Sequence, residues 1–217
     1  MKAPEVISEE NLSYAWGRAF LTAMKGAKDL MPLTISIGIR DGLPIEDSKI
    51  RDAVDAALSE NGKYTCAISA MTVFPFKFWN LSGRPHVEEF SKLYMTEYLT
   101  RLRARSRLNL KGTYFERMIA FGGVRGKDGK ILAETKNQLE HTISLWPKNR
   151  EHPRPKQSSL QVACFDPIKD LNRARRGGFP CLQQVSFTYD DAGGLAVNAY
   201  YPTQYIFDRA YGNYLGL

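Results

Sequence analysis

The sequence predicts an α/β (α+β) protein folded as a single domain over 1–217. Three observations predict it. Apolar residues recur at helical spacing over 9–25 and 86–107. Apolar and polar residues alternate strictly over 33–39, as on a half-buried strand. Two further strand-like runs, 182–189 and 194–201, fall in the last fifth of the chain.

Taken in order, Leu12, Ala15, Trp16, Ala19, Phe20, Ala23 and Met24 line one face of the first helix, with Ser8 as its expected N-cap and Gly26 near its end. Leu33, Ile35, Ile37 and Ile39 alternate with Thr34, Ser36 and Gly38, and Asp41-Gly42 then reads as a turn. Ile50, Val54, Ala57 and Leu58 mark a short helix over 48–59. Tyr64 to Val73 reads as a strand stopped by Phe74-Pro75. Val87, Phe90, Leu93, Tyr94, Tyr98 and Leu102 give the longer helix. The glycine-rich run Gly122-Gly-Val-Arg125-Gly-Lys-Asp-Gly129 lacks the Gly-Lys-Ser/Thr ending of a phosphate loop and reads as a flexible turn. Residues 149–159, with Pro153 and Pro155, read as a polar loop. Strands are expected near 33–39, 65–73, 160–166, 182–189 and 194–203. On the last two, Val185, Phe187, Leu195, Val197 and Ala199 are expected to face the core or a partner sheet.

Composition bounds the function. The chain is 43% hydrophobic and 24% charged, ordinary for a globular protein, and 217 residues can bury a substantial core. No apolar run approaches the ~20 residues of a membrane span. The N-terminus has no hydrophobic signal region. The three cysteines, Cys66, Cys164 and Cys181, show no framework or metal spacing, which reads as a reduced cytoplasmic setting with no metal. A net charge of +7 suits an anionic ligand, with a merely solvated basic surface as the competing reading. Arg101, Arg103, Arg105 and Arg107 form the densest basic run with Lys111, yet no aromatic lies between Leu99 and Leu110 to stack a base. The run reads as a solvated helix end, and nucleic acid is not an expected partner.

The candidate for chemistry is Cys181. It follows Pro180 and a basic loop holding Arg173, Arg175 and Arg176, and it opens the strand-like run from Leu182. Neighbouring guanidinium groups lower a thiol pKa and supply the thiolate that nucleophilic catalysis needs. From residue types alone, a structural cysteine at a strand end remains the competing reading.

The order of elements from Asn137 onward resembles the thymidylate synthase and pyrimidine hydroxymethylase superfamily. The matching pieces are Asn137-Gln138-Leu139, Val162-Ala-Cys-Phe165-Asp166-Pro167, Pro180-Cys181, the paired runs 182–189 and 194–201, and Asn213. Gly112-Thr-Tyr114-Phe115 fits less tightly, and the resemblance covers roughly 110–217. It implies a large, mixed, twisted sheet flanked by helices and a homodimer built sheet against sheet. The aromatic stretch Tyr200, Tyr201 and Tyr205–Tyr214 is suited to such a contact.

It also implies a reaction. The Cys181 thiolate adds to carbon 6 of a pyrimidine nucleotide or nucleoside, and carbon 5 then takes up a one-carbon unit from methylenetetrahydrofolate as a methyl or hydroxymethyl group. By position, Cys181 is the nucleophile, Asn213 reads the base edge, and Tyr114 lines the site. Tyr201 and Gln204 stand where the family grips its substrate, and Arg173, Arg175 and Arg176 serve the thiolate and the anion.

Departures accompany the match. Ser158 and Ser159 replace a pair of arginines, Tyr201-Pro202 replaces an Arg-Ser phosphate grip, Gln204 replaces an acid, and Leu182 replaces a histidine. Pro202 is expected to remove a ladder hydrogen bond from its strand. The family pattern continues past the position matching Leu217 with a helix, a His-x-Tyr strand and a segment over the folate, so the chain reads either as a fragment or as a C-terminally short member. The alternative is a catalytically inactive member used as a nucleotide-binding or scaffold subunit.

Overall fold

The computed structural model describes residues 4–26, 29–105, 112–125, 131–171, 179–190 and 192–217. It is a mixed α/β structure that separates into two compact units, Met1–Val73 with Gln204–Leu217, and Phe74–Thr203. Among the described residues its sheets are small, of two or three strands.

In the first unit, β1 (Glu5–Glu9) pairs in parallel with β2 (Leu33–Ile37), Ile7 opposite Ile35. The crossover is α1 (Leu12–Lys25), which buries Leu12, Ala15, Trp16 and Ala19. Its N-cap is Asn11, whose Oδ1 accepts the Ser13 and Tyr14 N–H groups at 2.8 and 3.3 Å; the expected cap, Ser8, lies inside β1. β3 (Ile39–Arg40) and β4 (Leu43–Pro44) form a tight hairpin. Its turn residues, Asp41 and Gly42, both adopt positive φ (52° and 76°), the geometry that matches the twist of a two-residue hairpin. α2 (Ser48–Glu60) is capped by Asp47.

The strand expected over 65–73 is instead a helix, α3 (Cys66–Val73). Its run is almost wholly apolar, so periodicity cannot separate strand from buried helix. The buried positions Cys66, Ser69, Ala70 and Val73 fall three and four apart, the stripe of a helix packed on one side.

What α3 packs against is α10 (Tyr211–Leu215), which continues a π-helical turn over Ile206–Ala210. Gly212 and Gly216 face α3 so closely that a Cβ on Gly212 would lie 2.6 Å from the Cys66 carbonyl oxygen, and one on Gly216 2.6 Å from that of Ala70. Leu12, Trp16, Val54, Leu58, Cys66, Ala210 and Tyr211 form the core of this unit. A polar clasp closes it: Arg51 donates to Glu46 (2.7 Å) and Asp55 (3.0 Å), while the Tyr211 hydroxyl meets Glu46 (2.8 Å) and Ser13 (2.7 Å).

The second unit begins with α4 (Phe76–Leu81), α5 (Val87–Leu93), a π-helical turn over Tyr94–Tyr98, and α6 (Leu99–Arg105). The last three together make the long helix that periodicity predicts. Phe90, Tyr94, Leu99, Phe115 and Ile119 form its buried core, with Phe74, Phe78 and Trp79 packed around them. Arg101 and Arg103 are paired with Glu97 and Glu116, in keeping with a solvated helix end.

α7 (Tyr114–Ile119) leads into the hairpin β5 (Phe121–Arg125) and β6 (Ile131–Lys136). The first half of the glycine-rich run is therefore strand, with Gly122 and Gly123 at φ 73° and 77°; the rest lies outside the described residues. α8 (Gln138–Glu151) extends into the expected loop, and a 3-10 turn over Gln157–Ser159 follows. β7 (Gln161–Ala163) is shorter than the 160–166 expected, because Asp166 caps a turn of helix, α9 (Pro167–Asp170). β8 (Gln184–Tyr189) lies between β7 and β9 (Leu195–Tyr200), antiparallel to both. β9 closes before Pro202, so that proline costs the ladder nothing.

Candidate functional site

The site is built on the short helix α7. Gly112 precedes it at φ 104°, a conformation open to glycine and rare elsewhere. Thr113 then caps the helix. Its Oγ1 accepts the Glu116 N–H at 3.0 Å and lies 2.7 Å from the buried Tyr94 hydroxyl. Phe115 and Ile119, one turn apart, enter the aromatic core. These anchors place Tyr114 beside the entry of β8, where Cys181 and the backbone of Leu182 act on its hydroxyl.

Burial foremost, and then the neighbouring Cys181, push the Tyr114 pKa up to about 12, opposed by backbone N–H groups. At neutral pH Tyr114 is therefore a protonated phenol, able to donate a hydrogen bond. Cys181 is half-buried between the buried Pro180 and Leu182. The entry of β8 is held by Gln183, whose N–H donates to the Tyr200 carbonyl (2.9 Å) and whose carbonyl accepts the N–H groups of Cys164 (2.8 Å) and Phe165 (3.2 Å).

The Asn137-Gln138-Leu139 motif supports this arrangement. Asn137 caps α8 through the Glu140 N–H (3.1 Å). Gln138 acts as a side-chain strand partner to β7, accepting the Ala163 N–H at 2.9 Å and donating to its carbonyl at 2.8 Å. Leu139 packs on the aromatic core.

The remaining expected residues distribute as follows. Tyr201 belongs to the same unit as Cys181 and Tyr114, just after β9, and is half-buried. Gln204 and Asn213 belong to the other unit. There the Tyr214 hydroxyl donates to Gln204 Oε1 at 2.8 Å, and Asn213 is buried on α10. Arg173, Arg175 and Arg176 lie outside the described residues.

Two site residues escape the sequence reading, Arg117 and Asp170. They form a buried bidentate ion pair, Nη1 to Oδ2 at 2.6 Å and Nη2 to Oδ1 at 2.9 Å. The signal is present in the sequence. Arg117 sits among Phe115, Met118 and Ile119, on the buried side of its helix.

No family model, curated protein or solved structure matches the chain. Among the described residues no helix is long and apolar enough to cross a membrane, and no group of His, Cys, Asp and Glu is assembled for a metal ion.

The three cysteines differ in environment, and this gives a direct test. Burial pushes the Cys66 and Cys164 thiols up to about 12, so both stay protonated, inert and out of reach in the folded protein. Iodoacetamide at pH 8 is expected to label Cys181 alone, with Cys66 and Cys164 reacting only after denaturation, as read by peptide mass spectrometry. Labelling of all three at one rate would refute the described burial.

Proposed function

We propose that the chain is a divergent thymidylate synthase-like enzyme that modifies carbon 5 of a pyrimidine nucleotide or nucleoside, with Cys181 as its nucleophile. The observation that carries this reading is that a half-buried thiol and a buried phenol neighbour one another at the entry of a strand, at the two positions the resemblance assigns to one site.

In this reading the Cys181 sulfur adds to carbon 6, and the electron pair of the 5,6 double bond passes to carbon 5, which becomes nucleophilic. After carbon 5 has gained its substituent and lost its proton, the carbon–sulfur bond breaks and the thiolate departs. Tyr114 supplies a hydrogen bond to sulfur while it carries charge, which favours both attack and departure. Methylenetetrahydrofolate is the one-carbon donor of the family. No described residue is assigned to it, and the roles of Cys181 and Tyr114 do not depend on it. The reading includes a twisted sheet extended across a homodimer. In its support, Leu195, Val197 and Tyr200 of β9 are exposed apolar groups, although Val185 and Phe187 beside them are buried or half-buried.

The second reading is an inactive member of the same superfamily that binds a nucleotide or serves as a scaffold. It is favoured by the exposed Ser158 and Ser159 and by Tyr201-Pro202, uncharged where the family grips a phosphate. Calorimetric titration with dUMP, dCMP, CMP and the free nucleosides separates the two when combined with release of tritium from carbon 5. The enzyme reading expects binding of at least one pyrimidine, tritium release by the wild type, and its loss to background in Cys181→Ser with binding retained. Binding without release favours the scaffold. Binding of no pyrimidine overturns the enzyme reading and leaves only the scaffold.

A further inference from the structure

We infer that the buried Arg117–Asp170 pair is a positioning device for the site: it fixes the helix that carries Tyr114 against the strand entry that carries Cys181. The inference rests on the reading of Cys181 as the nucleophile, but its test reads only the environment of the thiol.

The geometry of the pair is the first support. Two parallel N–H···O bonds at 2.6 and 2.9 Å join the planar ends of both side chains, so the contact sets an angle as well as a distance. Both groups are shielded from water, with side-chain exposures of 7% and 0%. A buried ion pair is a poor way to gain stability over apolar packing. What this pair provides, and an apolar contact would not, is a defined orientation.

Its reach is the second support. Arg117 Nη1 also donates to the Cys164 carbonyl at 2.8 Å, and Asp170 Oδ2 accepts the Asp166 N–H at 2.8 Å. Cys164 and Phe165 in turn donate to the carbonyl of Gln183, two residues beyond Cys181. Hydrogen bonds thus lead from Arg117 through Cys164 to the Gln183 carbonyl, two residues along the chain from the thiol. On the other side, Arg117 lies one turn after Tyr114 on the same helix. That helix is six residues long, too short to hold its own conformation, so tertiary contacts decide its pose. Phe115 and Ile119 set its depth in the core, and Arg117 sets its rotation about its axis.

The test is the pH–rate profile of Cys181 alkylation by iodoacetamide, measured on the full chain in wild type, Tyr114→Phe, Arg117→Lys and the double variant. Protection of Cys164 in the same samples certifies that the protein is folded. Tyr114→Phe removes a donor to the thiolate. It is expected to slow alkylation roughly tenfold at neutral pH and to move the profile to higher pH, the scale of one hydrogen bond to an ionised group. Arg117→Lys keeps the charge and loses the fork. It is expected to move the profile the same way, by several-fold, and the double variant to react no more slowly than Tyr114→Phe, because both changes remove one contact.

A purely structural role would lower stability and leave the Cys181 profile of the folded protein unmoved; that result overturns the inference. So do effects that multiply in the double variant, or a wild-type profile in Tyr114→Phe. If Arg117→Lys exposes Cys164, Asp170→Asn, which keeps the shape and removes the charge, is judged by the same criteria. Failure to bind any pyrimidine would defeat the proposed reaction without touching this result.

Discussion

Arg117→Met is expected to destabilise the protein by about 3–5 kcal/mol, among the largest single effects available in this chain. The substitution fills much of the same volume but leaves the Asp170 carboxylate fully buried without the guanidinium that now holds both its oxygens. It also removes the donor to the Cys164 carbonyl. Neither loss can be made good by water, since neither group reaches the surface. Urea unfolding followed by circular dichroism measures the effect as a drop in midpoint at unchanged slope. A loss below about 1 kcal/mol would place the pair among solvated surface bridges and contradict the burial described for it.

Gly212→Ala is expected to destabilise by about 1–3 kcal/mol, against the direction of helix propensity. The added Cβ would lie 2.5 Å from the Ser69 Cβ and 2.6 Å from the Cys66 carbonyl oxygen. The carbonyl is backbone, so relief requires α10 to move away from α3. Gly17→Ala in α1 is the natural control. A Cβ there meets nothing within 4 Å, so the same change is expected to stabilise by up to about 1 kcal/mol. Thermal unfolding of the two variants side by side tests opposite signs for one chemical change; equal shifts would show that the close approach of the two helices is absent.

The elements most legible in the sequence were those with a strong period or a local cap. α1 and α2 announce themselves by apolar spacing, and Asp41-Gly42 by turn chemistry. The helix over Cys66–Val73 did not read as one, because an almost wholly apolar run has little period to detect and the α10 glycines it packs against are distant in sequence. Of the candidate site, Cys181 was singled out from its place after Pro180 and a basic loop, whereas Tyr114 entered only through the resemblance. The Arg117–Asp170 pair was not legible, because composition treats arginine and aspartate as surface residues. Their burial follows from the turn at Asp166-Pro167, which bends the chain back so that Asp170 is buried opposite Arg117.

The split of the chain into Met1–Val73 with Gln204–Leu217 on one side, and Phe74–Thr203 on the other, has a consequence for biosynthesis. The second unit is contiguous, so every residue it needs has left the ribosome by the time Thr203 emerges. The first unit is interrupted. Leu12, Trp16 and Cys66 are translated early, yet the Ala210 and Tyr211 that cover them follow only after the whole second unit. While the second unit is being made, the nascent polypeptide carries an apolar face that only residues beyond Thr203 can close, the kind of exposed surface that invites aggregation until it is covered.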